Sequence, residues 1–361
     1  MAFPATIAAD IAATTLDYYI RGKAFAQTIQ DKPLLKVLKA NQETFPGGKG
    51  EVSIPVQGTY MSGGVTDPLS ATFMQGYTEV DPLVFSRAEN VKRATMPWKE
   101  LHAGLVISWT ELKKDGITIT DDQNVSEHSR VDLIRLTGIL QNRLADFGES
   151  WARAFNAMMW KDTSNAKEPE GLAYFFRNTV AAAAGTHIIA GIDQFTYKWW
   201  QQTNLLTGIT STPEGQELTL ALRKQVRLLR KYGGKPDTAL AGSGFLEKLE
   251  KEYQAKGMYT DQGFTQGKNE MGMNEITMKG LGTFKYDPTL DDSVANGGMN
   301  DPLGCYIFDS SKVKQYVMEG EENKTLNPTR PHDILVFLRS MTWTGCLLVH
   351  QMNCNAHIVV A

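Results

Sequence analysis

Cysteine is almost missing from this chain, with Cys305, Cys346 and Cys354 the only three in 361 residues. Any single bridge would leave one thiol over, so the sequence is not the disulfide framework of a small secreted module and suits a reducing compartment. A surplus of charge is missing too. Thirty-seven Lys and Arg stand against 40 Asp and Glu, a formal net charge of −3. No broad positive field therefore drives strong nucleic-acid binding, and any contact with DNA is expected to be local and non-specific. No apolar run reaches the roughly 18 residues that a membrane-spanning helix needs. The first 13 residues have no basic stretch ahead of their apolar run, which Asp10 interrupts, so no signal peptide is expected. No repeat of about 20 to 50 residues recurs, which sets aside solenoids and propellers.

The chain has an ordinary globular composition, 42% hydrophobic and 21% charged, with 32 Gly and 14 Pro making it slightly loop-rich. Such a chain folds, and its length suits one large domain or two to three of about 100 to 200 residues each.

Residues 15–41 carry a broken helical pattern, with Leu16, Tyr19 and Ile20 on one face and Leu34, Leu35 and Leu38 on another, separated by Asp31, Lys32 and Pro33. The segment is too short to make its own core, so it is expected to lie on something else, such as a neighbouring subunit. Gly47, Gly48 and Gly50 lead into a strand over residues 51–56, with Val52, Ile54 and Val56 on alternate positions and Pro55 marking a sheet edge. Residues 57–81 are rich in Gly, Ser, Thr and Pro, and a second extended stretch follows over 83–109. Together they read as a long two-stranded excursion. An isolated hairpin of this size is unstable in water, so it too needs an external surface.

The strongest periodicity starts at Ser129, with Leu133, Leu136, Leu140, Leu144, Phe147, Trp151, Ala154 and Met158 following at spacings of three and four. Ser129 is placed to cap and Asp132 to face the positive helix end. The predicted helix, residues 129–160, would be about 45 Å long at 1.5 Å per residue. A turn is expected at 169–172 and a small-residue loop at 181–185. A second amphipathic helix is predicted over 217–232, with Leu218, Leu222, Val226 and Leu229 on one stripe and Gly233 and Gly234 as its stop. A buried strand at 236–242 and a helix at 245–256 follow, then an aperiodic surface loop at 257–272. Strands near 275–286, 305–309, 312–318, 334–341 and 345–360 complete an α+β pattern.

This order of parts resembles the Hong Kong 97-type capsid fold of tailed-bacteriophage major capsid proteins. The likeness covers nearly the whole chain. It rests most on Gly191 to Trp200 with its paired tryptophans, on the helix leading to Tyr232 through Asp237, and on the long helix ending before Pro169, Glu170, Gly171 and Leu172. The resemblance implies an N-terminal arm at 1–45, an extended loop at 46–100, a peripheral domain at 101–205 with spine helix 129–160, an axial domain at 206–304, and a return to the peripheral domain at 305–361. It implies a structural protein, not an enzyme, that self-assembles into hexamers and pentamers of an icosahedral shell enclosing DNA. A portal protein at one vertex would be its partner, with separate scaffolding and decoration proteins conceivable. The place implied is the virion, assembled in the host bacterial cytoplasm. Helical arm signals by residue 15 depart from relatives with an attached scaffolding segment. Some relatives crosslink a loop lysine to an asparagine; Lys49 and Asn90 are present, but nothing in their spacing singles out a reactive pair. A nanocompartment shell of the same fold, a tail component, and an α+β hydrolase with a dispersed site are the competing readings.

No residue is assigned a catalytic, cofactor-binding or metal-binding role. Cys346, His350, Cys354 and His357 invite a zinc site, but residues four apart on a strand lie about 13 Å from one another, too far for one ion. Gly242, Ser243 and Gly244 lack the spacing of a hydrolase elbow and read as a turn. Residues 263–268 approach a phosphate loop, but Asn269 stands where Ser or Thr must bind magnesium. Asp121–Asp122 and Asp291–Asp292 read as solvated or capping pairs, and His102, His128, His187 and His332 are scattered. Trp199 and Trp200 read as buried aromatics at a domain junction rather than a base-stacking platform.

Overall fold

A computed structural model describes residues 29–58, 76–81, 91–108, 110, 130–162, 165–176, 187–201, 205–212, 215, 217–231, 233–255, 275–278, 281–326 and 336–361. The chain divides into two units. One comprises Met1–Gln30, Leu101–Phe155 and Gly320–Trp343, and the other Asp31–Glu100, Asn156–Glu319 and Thr344–Ala361.

The larger unit begins with helix α1, Pro33–Ala40, whose first-turn proline has a fixed φ that suits a helix start and lacks an N–H that would be unpaired there anyway. Leu34 and Leu38, one turn apart, are both 0% exposed. Strand β1, Glu43–Phe45, then pairs in parallel with β12, Val313–Met318, Glu43 opposite Tyr316. The second half of the expected arm therefore finds its apolar partners in its own chain, contrary to the expectation that it must lean elsewhere. A helix too short to make a core is supplied with one by the strand beside it. The first half, residues 15–28, lies outside the described residues.

Strands β2, Glu51–Gln57, and β3, Val91–Pro97, form an antiparallel pair, with Pro55 opposite Arg93. A two-stranded sheet has only edges, which is why a proline is tolerated within it. Val52, Val56, Ala94 and Met96 are buried on one face. The Thr95 N–H donates to the Ala190 carbonyl at 2.8 Å, in the turn between β5, Ile188–Ile189, and β6, Ile192–Asp193. The base of the excursion thus rests on its own chain too. Of its far part, residues 59–75 and 82–90 lie outside the described residues. The second extended stretch is two strands, not one: it breaks at Trp98, which stacks on Phe45 with centroids 4.7 Å apart, before β4, Lys99–Ser108.

Helix α2, Arg130–Trp160, has 31 residues and contributes to both units. Its last turn is held in the larger unit. The Asn156 amide donates to Thr289 Oγ1 at 2.7 Å, and Trp160 Nε1 donates to Asp287 Oδ2 at 3.0 Å. The expected turn at 169–172 closes on this end. The Gly171 N–H donates to the Lys161 carbonyl, and a Cβ on Gly171 would sit 2.4 to 2.7 Å from the carbonyl oxygens of Lys161, Met158 and Met159. The short helix α3, Leu172–Phe175, follows.

Among the described residues the larger unit is dominated by a six-stranded sheet, ordered β7-β15-β11-β8-β10-β9. Its strands are β7, Leu205–Ile209; β8, Thr238–Ala241; β9, Glu275–Met278; β10, Gly282–Tyr286; β11, Gly304–Phe308; and β15, Ala356–Val360. Helices α4, Glu217–Lys231, and α5, Ser243–Ala255, share its core. Leu218, Leu222, Val226 and Leu229 from α4 meet Phe245 and Leu249 from α5 over Ala239, Ala241, Phe284, Ile307 and Ile358 of the sheet. Each large apolar side chain buried there contributes about 2 kcal/mol. The stop of α4 falls where expected: Gly233, at φ +81°, donates to the Arg230 carbonyl, and Gly234 to that of Leu229. Strand pairing cuts across the return segment expected after residue 304, because β11 and β15 belong to this sheet whereas β12 lies beside β1. The expected pair of strands at 334–341 and 345–360 is also redrawn. Strand β14 runs unbroken over Val336–Val349, because Gly345 and Cys346 continue its pairing with Val317 and Tyr316; the break comes instead at the Met352–Cys354 turn.

In the smaller unit, β4 pairs with β14, and β13, Lys324–Thr325, pairs with Thr342 and Met341 of β14. Exposure alternates along β4, as a strand with one covered face requires. Phe155 of α2 meets Trp343 edge-on at 4.9 Å, and Trp151 Nε1 donates to Asn323 Oδ1 at 3.0 Å.

Candidate functional site

Among the described residues, the side chains that the sequence offers for chemistry do not converge. Cys346 lies on β14, and His350 just after it shares a 2.8 Å hydrogen bond through Nε2 with the Tyr316 hydroxyl. Cys354 is buried in the 3₁₀ turn against Gly234. His357 sits on β15, where its Nε2 meets Asp301 Oδ2 at 3.0 Å and its ring stacks on Tyr306 at 4.1 Å. Among the described residues no three His, Cys, Asp or Glu side chains come together as metal ligands do. Burial pushes the thiol of Cys346 up to about 12 and that of Cys354 up to about 11, and Cys305 well above its ordinary value. Thiols so held are poor nucleophiles.

Gly242, Ser243 and Gly244 form the turn from β8 into α5. A Cβ at Gly242 would come within 2.5 Å of the Pro302 carbonyl oxygen, so backbone proximity explains the glycine. The Ser243 N–H donates to Asp291 Oδ1 at 3.0 Å, and Asp291 also accepts from the Tyr286 hydroxyl at 2.7 Å. The Asp291–Asp292 pair thus has a member at a helix start. Trp199 and Trp200 are buried, edge to face at 6.0 Å, with Trp200 Nε1 donating to the Ile189 carbonyl at 3.1 Å. His102 is on β4, and His187 just precedes β5. Asp121, Asp122, His128, His332, Asn90 and the 257–272 loop with its glycines lie outside the described residues.

Glu252 and Asp287 are buried carboxylates that organise the larger unit, and sequence reasoning missed both. Glu252 of α5 is 1% exposed. Its carboxylate accepts the N–H groups of Leu218 and Thr219 at 3.0 Å each, and the hydroxyls of Ser211 and Thr219 at 2.8 Å each. It therefore caps α4 from another helix, supplying negative charge at the positive end of the dipole. Its only signal in the sequence is a glutamate at the buried spacing of α5, three residues after Leu249. Asp287 caps the short helix α6, Pro288–Asp291, while accepting from Trp160. Burial above all raises its pKa, against the hydrogen bonds from Thr289, Trp160 and the Leu34 backbone. On the other sheet, Glu43, Lys314, Tyr316 and His350 form a polar chain across β1, β12 and the end of β14, with Lys314 paired to Glu43.

Large apolar side chains face solvent elsewhere. Tyr77 is 71% and Val80 91% exposed in the described part of the expected loop, and Val91, Ile188 and Phe195 are exposed as well. Segments 29–33 and 76–81 lead directly into stretches for which the sequence reading sought outside partners.

No protein-family model matches the chain, and no curated protein does. Solved structures do. A chain of the cyanophage A-1(L) capsid asymmetric unit is similar at 13% identity with TM-score 0.61, covering 93% of this chain and 94% of that one. A chain of the capsid of Myoviridae phage XM1 is similar at 9% identity with TM-score 0.54, covering 94% and 95%. A chain of the capsid of a native GTA particle is similar at 14% identity with TM-score 0.50, covering 99% of each. At such identities what is shared is the fold.

Proposed function

We propose that this chain, whose α+β fold is the capsid fold of tailed phages, is a major capsid protein that closes into an icosahedral shell of hexamers and pentamers around a DNA genome. The observation that carries the reading is coverage from end to end: 93% of this chain lies on 94% of a capsid chain. Little is left on either chain to build a different kind of molecule. The exposed Tyr77 and Val80 support it, since a large apolar side chain in water gains about 1.5 to 3 kcal/mol when covered, and a neighbouring copy can cover it. A closed lattice multiplies such moderate contacts.

Under this reading residues 1–45 are the arm, with 33–45 its anchor on the subunit itself, and residues 46–100 the extended loop, with its base likewise anchored. Helix α2 is the spine of the peripheral domain, 101–205. Residues 206–304 make the axial domain, to which β11 and β15 of the return segment 305–361 add two strands. The chain acts by association and not by catalysis, in the virion, after assembly in the bacterial cytoplasm. A portal protein would occupy one vertex, scaffolding and decoration proteins would be separate chains, and packaged DNA would be met without sequence preference.

Electron microscopy of the expressed chain tests this. Uniform closed shells are expected, with DNA as their contents when taken from an infected cell. Open tubes would point to a tail component, co-purified protein cargo to a cellular nanocompartment, and a chain that stays single under all conditions would end the proposal.

A further inference from the structure

Helix α4 divides its residues unevenly. Leu218, Leu222, Gln225, Val226 and Leu229 face the core, while Arg223, Lys224, Arg227, Arg230 and Lys231 are exposed. Five cations and one acid, Glu217, give these 15 residues a charge of +4, which leaves −7 for the rest of a chain whose total is −3. The near-neutral balance of the whole therefore hides a concentrated positive surface on this helix. Among the described residues, none of Arg223, Lys224 and Arg227 forms an ion pair; the Arg227 Nε–H donates at 3.3 Å to the Arg223 carbonyl of its own helix, which leaves the far end of that guanidinium free. A stripe of like charge on one helix face costs stability through repulsion at the i, i+4 spacing. The fold nonetheless fastens this helix firmly, capping its start with Glu252 and closing its end with Gly233 and Gly234.

We propose that the outer face of α4 is the surface through which the subunit holds the phosphate backbone of packaged DNA. The inference rests on the shell reading above and gives that reading a contact surface. Arg223 and Arg227 are one turn apart, and the stripe from Arg223 to Lys231 spans about 12 Å at 1.5 Å per residue. Along that length one strand of duplex DNA presents about three to four phosphates, at 3.4 Å each along the axis. Side chains on a helix face reach backbone phosphates without reading bases, so the contact is independent of sequence, as a container for a whole genome requires. An acidic surface on a neighbouring protein is the rival occupant. Leu220, exposed at the start of the same face, separates the two: a protein partner would cover it, whereas a phosphate backbone gains nothing from it.

The test uses the full chain and a duplex of random sequence, with affinity followed by fluorescence anisotropy from about 50 to 200 mM salt. Replacing Arg223, Lys224 and Arg227 together by Gln removes three contacts, so the slope of log K on log salt should flatten by about 2.7. The wild type should then lose about 40-fold more affinity than the variant over that range. Replacing the two arginines by Lys should keep the wild-type slope, and Leu220→Gln should leave binding unchanged. An equal loss when the exposed Lys39, Lys49 and Lys285 are replaced by Gln, or no loss in the stripe variant, overturns the proposal. So does a stripe variant that binds DNA normally while Leu220→Gln abolishes contact between copies, which would assign the face to protein. Because the assay needs no particles, a chain that binds DNA through this stripe yet never forms shells would fault the shell reading and not the surface.

Discussion

Replacing Glu252 by Ala should destabilise the larger unit far more than its position on a polar-looking helix suggests. The side chain is almost wholly buried and accepts four hydrogen bonds, two of them from the first N–H groups of α4. Its loss strands two buried backbone donors, each costing about 1 to 3 kcal/mol. Loss of a helix cap alone costs about 1 kcal/mol. The two hydroxyls can rotate towards other acceptors, and water can enter part of the space, so about 3 kcal/mol is the expected sum. For a unit of this size that lowers the unfolding midpoint by about 6 to 12 °C. Glu252→Gln keeps one acceptor oxygen and the shape but loses the charge at the dipole, and should cost about half as much. Thermal unfolding followed by circular dichroism checks this. An alanine variant within about 0.5 kcal/mol of wild type would refute the reasoning. So would a glutamine variant as damaged as alanine.

His350 is held below its ordinary value of 6.5, first by burial and next by Lys314. The folded chain therefore binds fewer protons than the unfolded one, and this residue's contribution to stability is lost as pH falls below about 6.5. His350→Gln should remove that slope, and a wild-type-minus-variant difference in unfolding midpoint that stays flat between about pH 7.5 and 5 would contradict it. Gly171→Ala forces a methyl group against three carbonyl oxygens at the end of α2. It should cost at least about 2 to 3 kcal/mol by equilibrium unfolding, and wild-type stability would show that this end of the helix yields. Tyr77→Ser with Val80→Ser should leave subunit unfolding within about 0.5 kcal/mol of wild type while lowering the yield of closed particles, and an unchanged yield would count against a role in assembly.

Elements defined by local periodicity were legible in the sequence. The apolar spacing from Leu133 to Met158 marked α2 to within a residue, and the stripe Leu218, Leu222, Val226 and Leu229 with its two glycines marked α4. What could not be read was partnership over distance. Leu34 and Leu38 looked orphaned because their cover comes from residues some 280 positions later, through β1 and β12. The sequence suggests a break at Thr342, Trp343 and Thr344, yet pairing with β12 from Gly345 onward continues the same strand. Glu252 and Asp287 resembled ordinary polar residues, since what makes them structural is the set of N–H groups that the fold brings to them. The cationic face of α4 was present in the composition but was concealed by the chain's near-neutral total.

If the chain is a shell subunit, its copies complete one another. A reconstruction of assembled particles tests it most directly. Tyr77 and Val80 should be covered by an adjoining copy. Particles in which these residues lie on their own subunit, or a chain that never assembles, would contradict it.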